Sequence, residues 1–341
     1  MRIAQIAPCW LTVPPRGYGG TERVISCLAD GLAARGHEVT LFAAGGSGTS
    51  AKLVSYYEKP LGMVALVGQP FLELPHVLDA YARAEEFDVI HDHTFPFGPS
   101  IGAHLPHPPV VHTLHGPPWY PNVKPIYQFL ARRLHYVSIS QYQRIRFPEL
   151  NYAATVYHGI DLDSYPFRSA NDGYLLFVGR MSPEKGPELA VEAARRLRRR
   201  LVMVVKMIEP AEEEYFESTV RPLLTGSEQI LGEISAEEKV KLYAGASCTL
   251  MPIQWPEPFG LVMVESMACG TPVVAFRNGS VPEIIEHGKT GFIADDLDEL
   301  VALAARGEEI DPAACRERVE KRFSLETMLD GYEAVFSKLV P

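Results

Sequence analysis

Two glutamates, Glu257 and Glu265, have seven residues between them and enclose Pro258-Phe259-Gly260. The stretch from about Gly260 to Cys269 is almost wholly apolar and reads as a short buried helix, ended by Gly270 and by Pro272, which cannot continue it. Glu265 stands in its middle, and a lone buried carboxylate costs roughly several kcal/mol unless a polar group meets it. Helical side chains lean toward the N-terminus, so Glu265 is expected near the helix mouth. There the backbone N–H groups of Phe259, Gly260 and Leu261 can hold an anion. Glu257 lies just outside that mouth. An anion cradle between two carboxylates that accept from hydroxyls suits a sugar nucleotide, with phosphate in the cradle, ribose on Glu265 and hexose near Glu257. The plainer reading makes Glu257 a helix-start charge and gives Glu265 a structural cation or backbone donor.

A second group lies upstream. Gly179 and Arg180 end an apolar strand, and Lys185-Gly186 opens the following helix. Two cations at a strand's carboxyl edge make a clamp for a diphosphate. The loop after the first strand offers Gly17, Gly19 and Gly20 just before a helix, where backbone N–H groups can approach a phosphate. It lacks the full dinucleotide fingerprint. His115 follows the strand VVHTL at its carboxyl edge, whereas His112 is expected to face the core. His91 and His93 should share one strand face, but no third metal ligand is evident, and Asp161-Leu162-Asp163 reads as a turn. Trp119 and Tyr120, with Tyr18, Phe95 and Phe97, offer either an aromatic platform for a sugar acceptor or ordinary loop packing.

The elements that position these groups alternate strand and helix, the pattern of parallel α/β sheets. Strands are expected at 2–7, 38–44, 88–92, 109–114, 136–140 and 153–157. Helices are expected at 21–35, 77–86 and 124–134. A second series of strands runs 174–178, 201–207, 229–231, 248–251 and 272–276. At 341 residues two domains are expected.

EPFGLVMVE, then MACGTPVVA and GSVPEIIEHGKTGF, resembles the donor-site signature of the retaining glycosyltransferase family 4. The resemblance extends in order over most of the chain. It implies a GT-B fold: two Rossmann-like α/β domains facing each other across a cleft. Residues 1–163 would form the acceptor-side domain, 164–322 the nucleotide-sugar domain, and 323–341 a helix crossing back onto the first. It implies that Gly19 and Gly20 lie against the donor phosphates and that His115 lies near the donor sugar. The backbone around Glu233 and Ile234 would hold the base. His158 stands where the family more often has asparagine. The implied activity is transfer of a sugar, with retained anomeric configuration, from a nucleotide-diphosphate sugar to a hydroxylated acceptor such as a glycan, a lipid-linked glycan or a glycosylated natural product. Arg180 and Lys185 would stabilise the leaving diphosphate. No enzymic nucleophile is nameable from sequence, and no metal or cofactor is expected. A sugar-nucleotide epimerase of this architecture and a nicotinamide-dependent oxidoreductase are the alternatives, the latter lacking its glycine fingerprint.

Composition narrows the partners. A formal net charge of −10 argues against nucleic acid. Five scattered cysteines without metal spacing fit a reducing cytoplasmic setting, and no apolar run reaches membrane-spanning length. The strongest basic run, Arg195 to Arg200, sits at a helix end where cations complement the dipole; weak peripheral contact with an anionic membrane is its other reading.

Overall fold

The computed structural model describes residues 1–17, 19–63 and 69–340. The chain divides into two units, Met1–Gly159 with Leu325–Pro341, and Ile160–Ser324. Each is built on a parallel sheet whose apolar strands are mostly buried on both faces, as helix-covered parallel sheets require.

In the first unit the sheet order is β3-β2-β1-β4-β5-β6-β7. The strands are β1 (Arg2–Ile6), β2 (Glu38–Phe42), β3 (Lys52–Val54), β4 (Val89–Asp92), β5 (Val110–Leu114), β6 (His135–Ser138) and β7 (Tyr152–Thr155). Strand order reverses between β1 and β4, so the carboxyl ends of these two strands flank a topological switch point, where open α/β sheets bind ligands. The helix Leu325–Leu339 belongs to this unit and packs on Gly20–Ala34. Gly31 leaves room for it, since a Cβ there would sit 2.7 Å from Leu329 Cδ1. Arg35 clasps Asp330 at 2.7 Å and Glu333 at 2.5 Å, and His37 reaches Glu333 at 2.8 Å.

The second unit has the order β10-β9-β8-β11-β12-β13. Its strands are β8 (Tyr174–Arg180), β9 (Leu201–Lys206), β10 (Glu228–Leu231), β11 (Ala246–Met251), β12 (Val273–Phe276) and β13 (Gly291–Ala294). Here the switch point lies between β8 and β11. Sequence patterning misses β3 and β13, which have three and four residues. Gly291 opens β13 at φ +154°, where a Cβ would sit 2.2 Å from Val273 O. The helix expected at 77–86 begins earlier, at Glu73, and ends at Tyr81 before a separate turn at Ala84–Glu86. The one expected at 124–134 stops at Leu130.

Candidate functional site

Of the residues singled out in the second unit, Gly179, Arg180, Lys185, Glu257, Phe259 and Gly260 lie at the end of β8 or on the segments that follow β8 and β11, at its switch point. Glu233 and Ile234 instead follow the edge strand β10. Arg180 ends β8, and the turn Pro183–Lys185 follows it. The loop from Pro252 to Gly260 follows β11. Gln254 stitches the two together, its N–H donating to Glu184 O at 2.8 Å and its Nε2 to Pro183 O at 3.1 Å. Gly186, at φ +66°, permits this approach, because a Cβ there would lie 2.3 Å from Pro252 O. A second brace comes from the segment after β12. Asn278 Nδ2 donates to Ile253 O at 2.6 Å, and Ser280 binds Glu257 O through its N–H and Phe259 O through its hydroxyl.

This bracing sets the side chains. Lys185 Nζ lies 2.6 Å from Glu257 Oε2, which also accepts from Trp255 Nε1 at 3.1 Å. The ammonium stands 4.8 Å from the centre of the Trp255 ring. Arg180 binds Glu184 and lies 3.6 Å from Glu212 Oε1. Lys206, buried at the end of β9, is in register with Arg180. The two clamp cations therefore face three carboxylates, Glu184, Glu212 and Glu257. The helix Leu261–Ala268 begins at Gly260, at φ +87°, with no side-chain cap, so its first-turn N–H groups keep the anion-binding character expected of them. Phe259 contributes a buried ring set edge-on to Phe323, 5.9 Å between centroids. Gly179 has Phe177 and Lys185 side chains beside it.

Glu265 is met by polar groups of the protein itself. It is buried, and Lys239 Nζ spans both its oxygens at 3.0 and 2.9 Å. Tyr165 OH donates at 3.1 Å and Tyr243 OH at 3.0 Å. The desolvation cost that seemed to call for a ribose is thus met by the protein's own cation and phenols, as the plainer reading allowed. Burial and the Glu265 carboxylate push the Tyr243 phenol well up, so it stays a donor. Glu233 is exposed and Ile234 half-buried, between β10 and the helix Ala236–Gly245 that carries Lys239.

In the first unit, Gly19 and Gly20 sit at the start of Gly20–Ala34. Gly19 is at φ +148°, where a Cβ would lie 2.8 Å from Pro15 and 2.9 Å from Glu22 Oε2. His115 ends a row of buried imidazoles. His93 Nδ1 lies 2.8 Å from His115 Nε2, and His93 Nε2 lies 2.8 Å from Gln5 Oε1. The His158 ring stacks on His115, 5.4 Å between centroids and 22° between planes. His91 and His93 share a face as expected, with centroids 4.0 Å apart, and His91 Nε2 meets Thr113, which meets Tyr332. Burial pushes His112 and His115 down to about 3. Among the described residues no three His, Cys, Asp or Glu side chains are placed to hold a metal. Asp161 caps a turn, accepting from Asp163 N at 3.2 Å.

The aromatic platform does not form as one surface. Phe95 stacks on Tyr127 at 4.6 Å, Phe97 meets Phe71 at 5.9 Å, and Trp119 is set edge-on to Tyr142 at 5.6 Å. Phe95, Phe97 and Trp119 all pack against the core, which leaves Tyr120 as the exposed member, while Tyr18 lies outside the described residues.

Residues 18–164 match the family described as Glycosyltransferase Family 4, and residues 166–317 match the one described as Glycosyl transferases group 1. The chain belongs to the group 1 glycosyltransferases with the GT-B fold. It is 28% identical to the putative glycosyltransferase YtcC of Bacillus subtilis over 68% of this chain and 67% of that protein. AviGT4, a glycosyltransferase involved in avilamycin A biosynthesis, is 25% identical with a TM-score of 0.76, over 99% of this chain and 98% of that one. The Anabaena protein Alr3699/HepE, solved in complex with UDP-glucose, shares the fold at a TM-score of 0.78 and 22% identity, over 99% and 100%.

Several residues of this glycosyltransferase's site carry no local signal in the sequence. Glu184 and Glu212 beside Arg180, and Trp255 beside Lys185, read only as loop and helix-start residues. Lys239 and Tyr243 are four apart on one helix, so a shared face was legible, but their meeting with Glu265 depends on the tertiary fold.

Proposed function

We propose that this glycosyltransferase moves a sugar from a nucleotide-diphosphate sugar to a hydroxylated acceptor with retention of configuration and without a metal. The observation that carries this reading is the Lys185–Glu257 pair beside Arg180 and the uncapped helix mouth, all at one sheet's switch point. In the reading, diphosphate oxygens take Lys185 from Glu257 and Arg180 from Glu184. Cations and helix-mouth N–H groups then face the charge that develops on the leaving diphosphate, the arrangement that lowers such barriers most. Glu257, released, accepts from hydroxyls of the transferred sugar. The leaving phosphate takes the acceptor hydroxyl's proton, a step that needs no protein base. Glu233 and Ile234 meet the base. A ribose at Glu265 would share the carboxylate with Tyr165, Tyr243 and Lys239. His115, Gly19 and Gly20 are assigned to the sugar and phosphate by the family resemblance. Trp119 and Tyr120 remain the acceptor candidates, with Tyr120 the accessible ring.

UDP-glucose is the first donor to test, since it is bound in a structure of the same fold. Thermal shifts across a panel of nucleotide sugars identify the donor, and proton spectra of the product, or of the slow hydrolysis product, identify its anomer. Activity with EDTA present and an α-linked product from an α-linked donor are expected. Inversion, or activity restored only by magnesium or manganese, overturns the reading.

A further inference from the structure

Between Asp92 and Glu149 the sequence contains no Asp or Glu, yet it carries Lys124, Arg132, Arg133, Arg144 and Arg146, in a chain of net charge −10. The helices Lys124–Leu130 and Gln141–Arg146 connect β5 to β6 and β6 to β7. These strands are adjacent and advance in one direction, so right-handed crossovers place both helices on the same face of the sheet. Lys124, Arg132, Arg133 and Arg146 are exposed and Arg144 is half-buried. Among the described residues none of the five has a carboxylate within ion-pair distance. Arg133 lies 4.9 Å from the Phe129 ring centre and Arg144 lies 5.1 Å from that of Tyr152. Set among these cations are two large apolar side chains turned to solvent, Phe129 at 64% and Ile145 at 78% exposure.

The contrast with the conspicuous run at Arg195–Arg200 decides which surface matters. Arg195 and Arg196 are bound by Glu192, Arg196 also by Asp298 at 2.6 Å, and Arg199 by Glu308 at 2.8 Å. Arg200 donates to Gln229 at 2.5 Å. That run is largely neutralised within its own unit, whereas among the described residues these five cations have no carboxylate within ion-pair distance, and Glu149, which acts on the Tyr152 ring beside Arg144, stands at the edge of the acid-free stretch. Unpaired cations interleaved with exposed apolar side chains match a bilayer interface, where apolar groups enter the headgroup boundary and cations meet lipid phosphates. A soluble polyanion would recruit the cations and leave Phe129 and Ile145 unused.

We propose that this face of the first unit docks on an anionic lipid bilayer through Lys124, Arg132, Arg133, Arg144 and Arg146, with Phe129 and Ile145 entering the headgroup region. The test is co-sedimentation of the full chain with phosphatidylcholine vesicles, with and without phosphatidylglycerol. Binding is expected only to the anionic vesicles and should weaken with salt. Each surface cation contributes about fivefold in partitioning, so Arg132→Glu with Arg133→Glu should lower it by more than about tenfold. Phe129→Ser with Ile145→Ser should lower it several-fold, and Arg195→Glu with Arg196→Glu should leave it unchanged. In the wild-type chain, anionic vesicles should protect amides of 124–146 from hydrogen exchange, a readout independent of any variant's folding. Absence of binding, protection elsewhere, or loss in the Arg195 and Arg196 variant overturns the proposal. So does a serine pair that binds as well as wild type, which would mark a site for a soluble polyanion instead.

Discussion

Lys185 Nζ and Glu257 Oε2 are 2.6 Å apart, so the cation proposed to meet the leaving diphosphate is paired with the carboxylate proposed to meet the sugar. Both side chains are largely buried, and their ion pair competes with the ligand for the ammonium.

This pairing predicts opposite effects on binding and turnover. Glu257→Gln keeps an oxygen for Trp255 Nε1 and removes the competing charge. Affinity for the bare nucleoside diphosphate should rise about five- to tenfold, the scale of one partly buried ion pair. Turnover should fall by roughly a hundredfold, because the sugar loses a charged acceptor present in the transition state. Lys185→Met should lower both. Titration calorimetry with UDP, beside steady-state rates, checks this; a Glu257→Gln variant that binds UDP more weakly shows that Glu257 holds the nucleotide itself.

Glu265 predicts a stability effect first. Removing it strands the Lys239 ammonium, whose side chain is 17% exposed, beside two buried phenols. Breaking such a pair costs about 3–5 kcal/mol, or roughly 6–20 °C in melting temperature for a unit of this size. Glu265→Ala therefore cannot report ribose binding. Glu265→Gln retains the shape and one acceptor oxygen. It should lower melting less than Ala and weaken UDP binding about tenfold, the scale of one lost charge-assisted bond. A Gln variant with lowered melting and unchanged UDP affinity gives Glu265 a structural role alone.

The sheets were legible because Val, Ile and Leu runs bounded by glycine and proline have few other places to go in an α/β chain. The proximity of the two cations was legible, Arg180 at a strand's end and Lys185 in the turn that follows it. Their carboxylate partners were not, because Arg180 meets Glu212 through the fold rather than through any local spacing. Glu265 shows the same limit. A carboxylate in an apolar helix announces a polar partner, but Lys239 lies 26 residues away and Tyr165 lies 100. Sequence cannot distinguish those partners from a ligand. Aromatic content likewise suggested a platform at Trp119, whose ring the fold turns onto Tyr142.

The buried imidazoles predict acid sensitivity. Burial holds His91, His93 and His158 well below 6.5, and His112 and His115 at about 3. Below pH 6.5 the unfolded chain binds protons that the folded chain refuses, so stability is full above that pH and is lost as pH falls toward 3. Glu73 has the opposite sign. Burial, with Asp92 and Glu22 nearby, raises it from 4.5 to about 8, so its contribution falls as pH rises through that window. Asp92, raised to about 6 mainly by burial, adds a smaller contribution of the same sign. These histidines, with His76 and His135 also lowered by burial, outweigh two acids below 6.5. Above it Glu73 acts up to about 8. Only beyond about pH 9 do the buried thiols of Cys9, Cys248, Cys269 and Cys315, each raised to about 12, add to it with the same sign. Denaturation across pH should therefore show a maximum near 6.5, steep on the acid side and shallow on the alkaline side. His112→Phe, placed between Tyr127 and Tyr136, should flatten the acid side; an unchanged acid slope would assign it to other groups.

The last prediction concerns the proton on His115. Gln5 presents its amide oxygen to His93 Nε2 at 2.8 Å, so that nitrogen donates. A neutral His93 then has a lone pair at Nδ1, which accepts from His115 Nε2 at 2.8 Å. This leaves His115 Nδ1 as a bare acceptor, buried and without a hydrogen-bond partner among the described residues. An acceptor in that state suits a hydroxyl of the sugar, and the relay from Gln5 fixes it before any ligand arrives. Long-range proton–nitrogen spectra of histidine-labelled protein should show His115 protonated at Nε2 alone. Gln5→Leu should mix the two tautomers and lower turnover about tenfold, with UDP affinity within about twofold, since the bare nucleotide lacks the hexose. Gln5→Glu keeps the accepting oxygen and should restore the single tautomer. If His115 carries its proton at Nδ1 in the wild type, the relay runs the other way and His115 donates to the ligand.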